Sequence, residues 1–294
     1  MRPYVVWVLA LALAGCVWAQ EPVREGEMEK LVLAAGARPE VWSVAEATMA
    51  SSPEMRKTGE ASLHFHIDVD YFAGEAKYPI GWPRASVPFD QPWQQDWSAF
   101  DTLRLWVHSD TSRDALPSTP LGMIIYTPDK AHSFNYNMGE LRKGEWVRIE
   151  IPLTRIANHD QVTRIQFAIS ESDYRHGDVL DFHIDDICLL RYAEPHLSDC
   201  RALPRVGYSD LRTVKVAFRA LGIPGDGETP ATLSLKSGGD QLASLQVGVS
   251  RGTNTVPFEL REGLSDGVYE IVVQVGTAPP AAVQIRLVSS PWAQ

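Results

Sequence analysis

Residues 61–69 read A-S-L-H-F-H-I-D-V, and this stretch decides the fold. Leu63, Phe65, Ile67 and Val69 fall on one side of an extended chain, while Ser62, His64, His66 and Asp68 fall on the other. Strict two-residue alternation is the signature of a half-buried β-strand, because successive side chains of a strand point to opposite faces. Working outward, 102–108 (T-L-R-L-W-V-H) repeats the pattern, and strand-like runs follow at 121–126, 146–151, 164–169 and 182–190. Turn formers separate them: Ser109-Asp110, Pro128-Asp129, Lys143-Gly144 and His176-Gly177-Asp178. No segment between them is periodic enough to be a crossover helix, which argues against a parallel α/β sheet. Short strands divided by turns predict an all-β sandwich or barrel.

A second β unit begins after Cys200. Its strands are expected at 213–220, 231–236, 242–249, 253–258, 267–275 and 283–288. The turns Gly225-Asp226-Gly227, Ser237-Gly238-Gly239 and Ser265-Asp266-Gly267 carry the glycines that accept positive φ. This unit, 205–290, matches an Ig-like or fibronectin-like sandwich in size and strand number. Its few aromatics, Phe218, Phe258, Tyr269 and Trp292, point to a spacer or packing role. The first domain is expected over 37–195. Residues 21–36 are charged and helix-tolerant, and read as a lead-in segment.

Residues 1–20 set the compartment. Arg2 precedes an apolar run from Val5 to Ala14, too short for a permanent span, which needs about 20 apolar residues. A basic start, such a run and small residues after it describe a secretory signal. Two cleavage readings stand. Leu13-Ala14-Gly15-Cys16 resembles the bacterial lipobox, which would leave Cys16 lipidated and the chain attached to a membrane. Val17-Trp18-Ala19 suits ordinary signal peptidase and would start the mature chain at Gln20. The expected location is secreted, periplasmic or lipid-anchored to the cell envelope. The apolar fraction of 45% is that of a globular chain. The net charge of −10 and the lack of a basic run argue against nucleic acid, whose binding needs clustered positive charge. Setting Cys16 aside, Cys188 and Cys200 remain. An exported chain can keep a disulfide, and a bridge here would tie the last strand of the first domain to the linker. The alternative is two free thiols.

Three stretches of the first domain form a series: K-T-G-E-A-S-L at 57–63, D-W-S-A-F-D-T-L-R-L-W-V at 96–107, and G-E-W-V-R-I at 144–149, continuing to F-H-I-D-D-I at 182–187. The series resembles the galactose-binding-like jelly-roll domains that serve as carbohydrate-binding modules beside bacterial polysaccharide-degrading enzymes. It covers residues 41–191 and rests on order and spacing. The resemblance implies a β-jelly roll followed by the smaller Ig-like sandwich. It also implies a structural calcium, held by Asp185 with the Gly59 carbonyl and Glu60. Calcium takes six to eight oxygens, backbone carbonyls among them. The alternative is that Asp185 caps a turn or meets Arg191.

Residues 71–97 carry Tyr71, Phe72, Tyr78, Trp82, Phe89, Trp93 and Trp97 among Pro79, Pro83, Pro88 and Pro92. Proline stiffens the backbone and discourages strand pairing. A stiff aromatic segment suits sugar, since a pyranose stacks its apolar face on Trp or Tyr, and a ring offers large contact area. Trp82 and Trp93 lead the candidates, with Tyr71, Tyr78, Asn135 and Tyr136 beside them. Each aromatic can instead fill the core. Trp106 and Trp146, in apolar strands, are expected in the core. A glycosidase needs two spaced carboxylates, and Asp68/Asp70, Glu171/Asp173 and Asp185/Asp186 are the available pairs, all where solvated strand residues are expected. His64 and His66 share a strand face and can share a metal, but a third ligand is not evident. No phosphate loop, nucleophile elbow or paired-cysteine zinc motif is present. The expectation is a non-catalytic exported protein that binds a poly- or oligosaccharide. A structural or protein-docking module of the envelope is the alternative, with a polysaccharide hydrolase or lyase behind it.

Overall fold

The computed structural model describes residues 21–34, 38–72, 81–129, 133–224 and 227–289. Cys16, Tyr78 and Trp292 lie outside them. Alternating residues become twelve strands in the first domain: β1 (Val23–Glu25), β2 (Met28–Ala34), β3 (Ser43–Ala45), β4 (Thr48–Ser52), β5 (Ser62–Asp68), β6 (Arg84–Pro88), β7 (Thr102–Thr111), β8 (Gly122–Tyr126), β9 (Phe134–Asn137), β10 (Trp146–Pro152), β11 (Arg164–Ala168) and β12 (Val179–Tyr192). One short helix, α1 (Pro92–Gln95), joins β6 to β7.

The strands form two antiparallel sheets. β12 runs through the first. β7 and then β10 lie along one side of it. On the other side β5 pairs with its first half and carries β4 beyond it, and β2 pairs with its second half and carries β1. The second sheet has the order β3-β6-β11-β8-β9. Leu63, Phe65, Leu105, Phe182 and Ile184 of the first sheet pack in one core with Ala85, Met123, Ile125 and Phe167 of the second. Burying each large apolar side chain contributes roughly 1.5–3 kcal/mol.

The second unit is a smaller sandwich with its own core around Phe218, Leu233, Phe258, Ile271 and Ile285. Its strands are β13 (His196–Leu203), β14 (Val206–Tyr208), β15 (Thr213–Leu221), β16 (Thr229–Ser237), β17 (Asp240–Val249), β18 (Gly252–Glu259), β19 (Gly267–Val275) and β20 (Ala281–Val288). They form the sheets β13-β15-β18 and β14-β20-β19-β16-β17. The two units meet at Arg251. Its Nε donates to Asp101 Oδ1 at 3.0 Å and its Nη1 to the Ser98 carbonyl at 3.1 Å.

Three sequence expectations are corrected here. Of the expected lead-in, residues 23–34 are a strand hairpin instead: β1 and β2 pair, and β2 pairs with the second half of β12, burying Leu31 and Leu33. The helix formers Met28, Glu29 and Lys30 take strand form because β12 offers an open edge, a tertiary demand that outweighs propensity. Cys188 and Cys200 are both free thiols. Cys188 is buried within β12, and Cys200 packs against the core of the second sandwich. Burial pushes the Cys188 thiol up to about 12. Trp106 and Trp146 lie half-buried outside the core, since Leu103, Leu105 and Val107 take the inner positions of β7. The Lys57 ammonium sits 4.4 Å over the Trp106 ring.

Candidate functional site

The chain enters β6 through Gly81-Trp82-Pro83, and two carboxylates fix that entry. Glu171 Oε2 accepts the Gly81 N–H at 2.8 Å, and Glu46 Oε2 accepts the Trp82 N–H at 2.6 Å. A Cβ at residue 81 would collide with both, lying 2.6 Å from Glu171 Oε2, so a larger residue there would push the two carboxylates off the N–H groups they accept. Glu171 also accepts the Asp70 N–H at 3.3 Å. Its carboxyl is held above the usual range, first by burial and then by the charges of Glu46 and Asp70, against the two N–H donors. With its backbone clamped, Trp82 stands 44% exposed. The Arg84 guanidinium lies 5.0 Å over the ring, and Arg84 Nη1 donates to the Trp82 carbonyl at 3.1 Å.

Beside Trp82 lies an open hollow of about 400 Å³ on the outer face of the second sheet. Its floor is small because of the sheet register. Ala168 of β11 pairs with Gly122 of β8, which pairs with Asn137 of β9. A Cβ on Gly122 would sit 3.4 Å from the Ala168 carbonyl and 3.8 Å from Asn137 Oδ1. Asn135, Asn137, Ser170, Ser172 and Asp173 supply polar groups around it. In the next cross-strand row Gln166 faces Ile124, which in turn faces Asn135. Gln166 is 4% exposed, and its Nε2 has no hydrogen-bond partner among the described residues. The arrangement is one aromatic wall, a smooth floor and amide and hydroxyl groups at the rim. Such a hollow can hold a small polar ligand that has one apolar face.

The structure therefore brings Trp82 and Asn135 together and, among the described residues, leaves Trp93, Tyr71 and Tyr136 elsewhere. Tyr136 lies on the opposite side of β9, packed on the core, with its hydroxyl donating to Glu140 Oε1 at 2.5 Å. Burial first, and that carboxylate second, push Tyr136 up to about 12. Tyr71 packs at the core edge and donates its hydroxyl to the Tyr174 carbonyl, serving as a brace for the 171–176 loop. Trp93 lines a different cleft, of about 610 Å³, with Arg38, Gln91 and Gln94. Phe89 and Trp97 are core residues. Sequence reading missed Gly122, Ala168 and Glu46. The 171–176 segment rims the hollow through Ser172 and Asp173.

The calcium set does not fit what stands around Asp185. Its carboxylate accepts the N–H groups of Lys57 at 2.7 Å, Thr58 at 2.8 Å and Asp186 at 2.7 Å. A cation would have to approach among donors that repel it, whereas calcium wants oxygens. Gly59 sits at φ 59° in the turn that these bonds hold, and Glu60 is exposed. Asp185 is thus a turn clamp. Its neighbour Asp186, at a bulge, is paired with Lys30 Nζ and Arg104 Nη2, both at 2.7 Å.

No protein-family model matches the chain, and no curated protein does. Among solved structures it is similar to the glycoside hydrolase domain of Endo-D from Streptococcus pneumoniae R6, at 14% identity and TM-score 0.30, over 83% of this chain and 37% of that one. It is similar to TmCBM61 in complex with β-1,4-galactotriose, at 13% identity and TM-score 0.32, over 53% of this chain and 91% of that one. A glycosyl hydrolase family 2 member from Bacteroides cellulosilyticus follows at 8% identity and TM-score 0.26, over 87% and 35%. The chain spans little more than a third of either hydrolase chain. At these values the site stands on its own geometry.

Proposed function

We propose that this is an exported, non-catalytic carbohydrate-binding protein, whose first domain is a jelly roll of the galactose-binding-like type that takes a sugar in the hollow beside Trp82. The observation that carries this reading is the half-exposed Trp82 lining one hollow with the small residues Gly122 and Ala168 and with Asn135, Asn137, Ser170 and Ser172. A pyranose ring has an apolar face to lay on the indole and hydroxyls to meet amides and serines. The hollow falls within the usual range for small-molecule sites, about 300–1,000 Å³.

The carboxylates favour binding over hydrolysis. Glycoside hydrolysis uses two carboxyl groups flanking the scissile bond. Among the described residues lining the hollow, Asp173 is the one acid. Glu46 and Glu171, just behind it, are engaged by backbone N–H groups. The Ig-like sandwich acts as a spacer, joined through Arg251. Export, with or without a lipid on Cys16, places the hollow outside the cytoplasm, where polysaccharide is met.

The test is a panel of neutral and acidic glycans presented to the mature chain, with product analysis of each mixture. Saturable binding to at least one glycan without new reducing ends is expected. Absence of binding across the panel would refute the sugar reading, and release of reducing ends would refute the non-catalytic one.

A further inference from the structure

The outer face of the first sheet carries a second cluster that the sugar reading does not use. β5 places His64 and His66 on that face, and β12 places Asp181 and His183 beside them. In register, His66 faces Asp181 and His64 faces His183, which on its other side faces His108 of β7. Asp181 Oδ1 meets His64 Nε2 at 2.6 Å and His66 Nδ1 at 2.8 Å. The three ligand atoms of His64, His66 and Asp181 all lie within 4.8 Å of one another. The strand pairing thus brings a carboxylate from 115 residues away to the two histidines.

We infer that His64, His66 and Asp181 form a binding site for a divalent transition-metal ion, with zinc the best match. Two imidazoles and one carboxylate are a three-ligand zinc set that leaves a fourth position open. Tetrahedral bonds of about 2.0–2.2 Å set ligand atoms roughly 3.3 Å apart. The Asp181 oxygen, 2.6 and 2.8 Å from the two ring nitrogens, needs to draw back by about 0.7 and about 0.5 Å, which small side-chain rotations supply. The surroundings fit as well. His66 Nε2 lies 3.4 Å from Asp68 Oδ2, so a ring bound through Nδ1 has a carboxylate to receive its other N–H, the arrangement that orients ligating histidines. His64 is stacked on His183 at 4.5 Å with 7° between planes, which fixes its ring. Solvent and ions reach His66 through a cleft of about 360 Å³ lined also by Glu46, Asp68, Asp70 and Glu171. Its negative charge raises the local cation concentration. The ring nitrogens must be unprotonated to ligate, so binding weakens in acid.

The experiment is calorimetric titration of zinc chloride into the untagged mature protein at neutral pH, with visible absorption of the cobalt(II)-loaded form as a second readout. One zinc per chain is expected, with d–d bands of a four-coordinate cobalt site. His64→Ala and Asp181→Asn should each weaken zinc binding by about 100-fold or more and abolish the bands, since even residues supporting the ligands contribute about 10–100-fold. His159→Gln, on a loop where His159 Nδ1 lies 3.0 Å from the Ile156 carbonyl, should bind as the native chain does. Circular dichroism checks that each variant is folded. Absence of binding by the native chain, or unchanged binding in both folded ligand variants, would overturn the assignment. Neither result touches the sugar reading, which is measured with glycans at the other sheet.

Discussion

Replacing Gly81 with alanine is expected to destabilise the first domain and to loosen the Trp82 wall together. The new Cβ would sit 2.6 Å from Glu171 Oε2 and collide with Glu46 Oε2. Both carboxylates end flexible side chains, so they can retreat, but retreat breaks the bonds at 2.8 and 2.6 Å that hold residues 81 and 82. The two losses differ. Glu46 is half-buried and can regain water, so its bond costs little. Glu171 is 2% exposed, and a buried carboxylate that loses a donor carries a desolvation penalty. Charge-assisted bonds contribute about 1.5–3 kcal/mol and exposed ones less, so the sum is about 2–4 kcal/mol. Urea unfolding followed by tryptophan fluorescence reads the stability, and glycan titration reads the site. A Gly81→Ala chain as stable as the native one within about 0.5 kcal/mol, the ordinary range for surface changes, would refute the clamp.

The Glu171 carboxyl is raised above its ordinary 4.5, so its favourable contribution is full below about pH 4.5 and is lost as pH rises through the raised value. Glu171→Gln should therefore gain stability relative to the native chain between pH 4 and 7, measured by thermal melts at each pH; a pH-independent difference would contradict this. Arg251→Met should cost about 3 kcal/mol in urea unfolding, because it leaves the Asp101 carboxylate, 2% exposed, without its cation. Mass mapping of the non-reduced protein should recover Cys188 and Cys200 as separate thiols, with Cys188 unalkylated until the chain is unfolded; a linked peptide pair would contradict the packing.

Most of the strand architecture could be read from period-2 alternation, as in β5, β7 and β12, because one face of each of these strands meets a core. Elements whose form depends on distant partners could not. β2 is written in helix formers and becomes a strand only because β12 has room for it. Trp106 is flanked by apolar residues yet points outward, since the alternation leaves the inner face to Leu105 and Val107. At the site, Trp82 and Asn135 were legible as residue types. The floor of Gly122 and Ala168 was not, for a small residue gains meaning only when register sets it beside another. Likewise Asp181 is invisible from His64 and His66 until β5 and β12 pair. Asp185 was legible as a carboxylate in need of partners, but the N–H groups of Lys57 and Thr58 that meet it come from a turn more than 120 residues away.

The most direct test of the central claim compares Trp82→Ala with Trp93→Ala in titration of the glycan that binds best. Removing the ring that walls the hollow should weaken binding at least about tenfold, equivalent to about 1.4 kcal/mol, while Trp93→Ala, in a separate cleft, should bind within about twofold of the native chain, under about 0.5 kcal/mol. Native affinity in Trp82→Ala, or loss of binding in Trp93→Ala alone, would contradict the account.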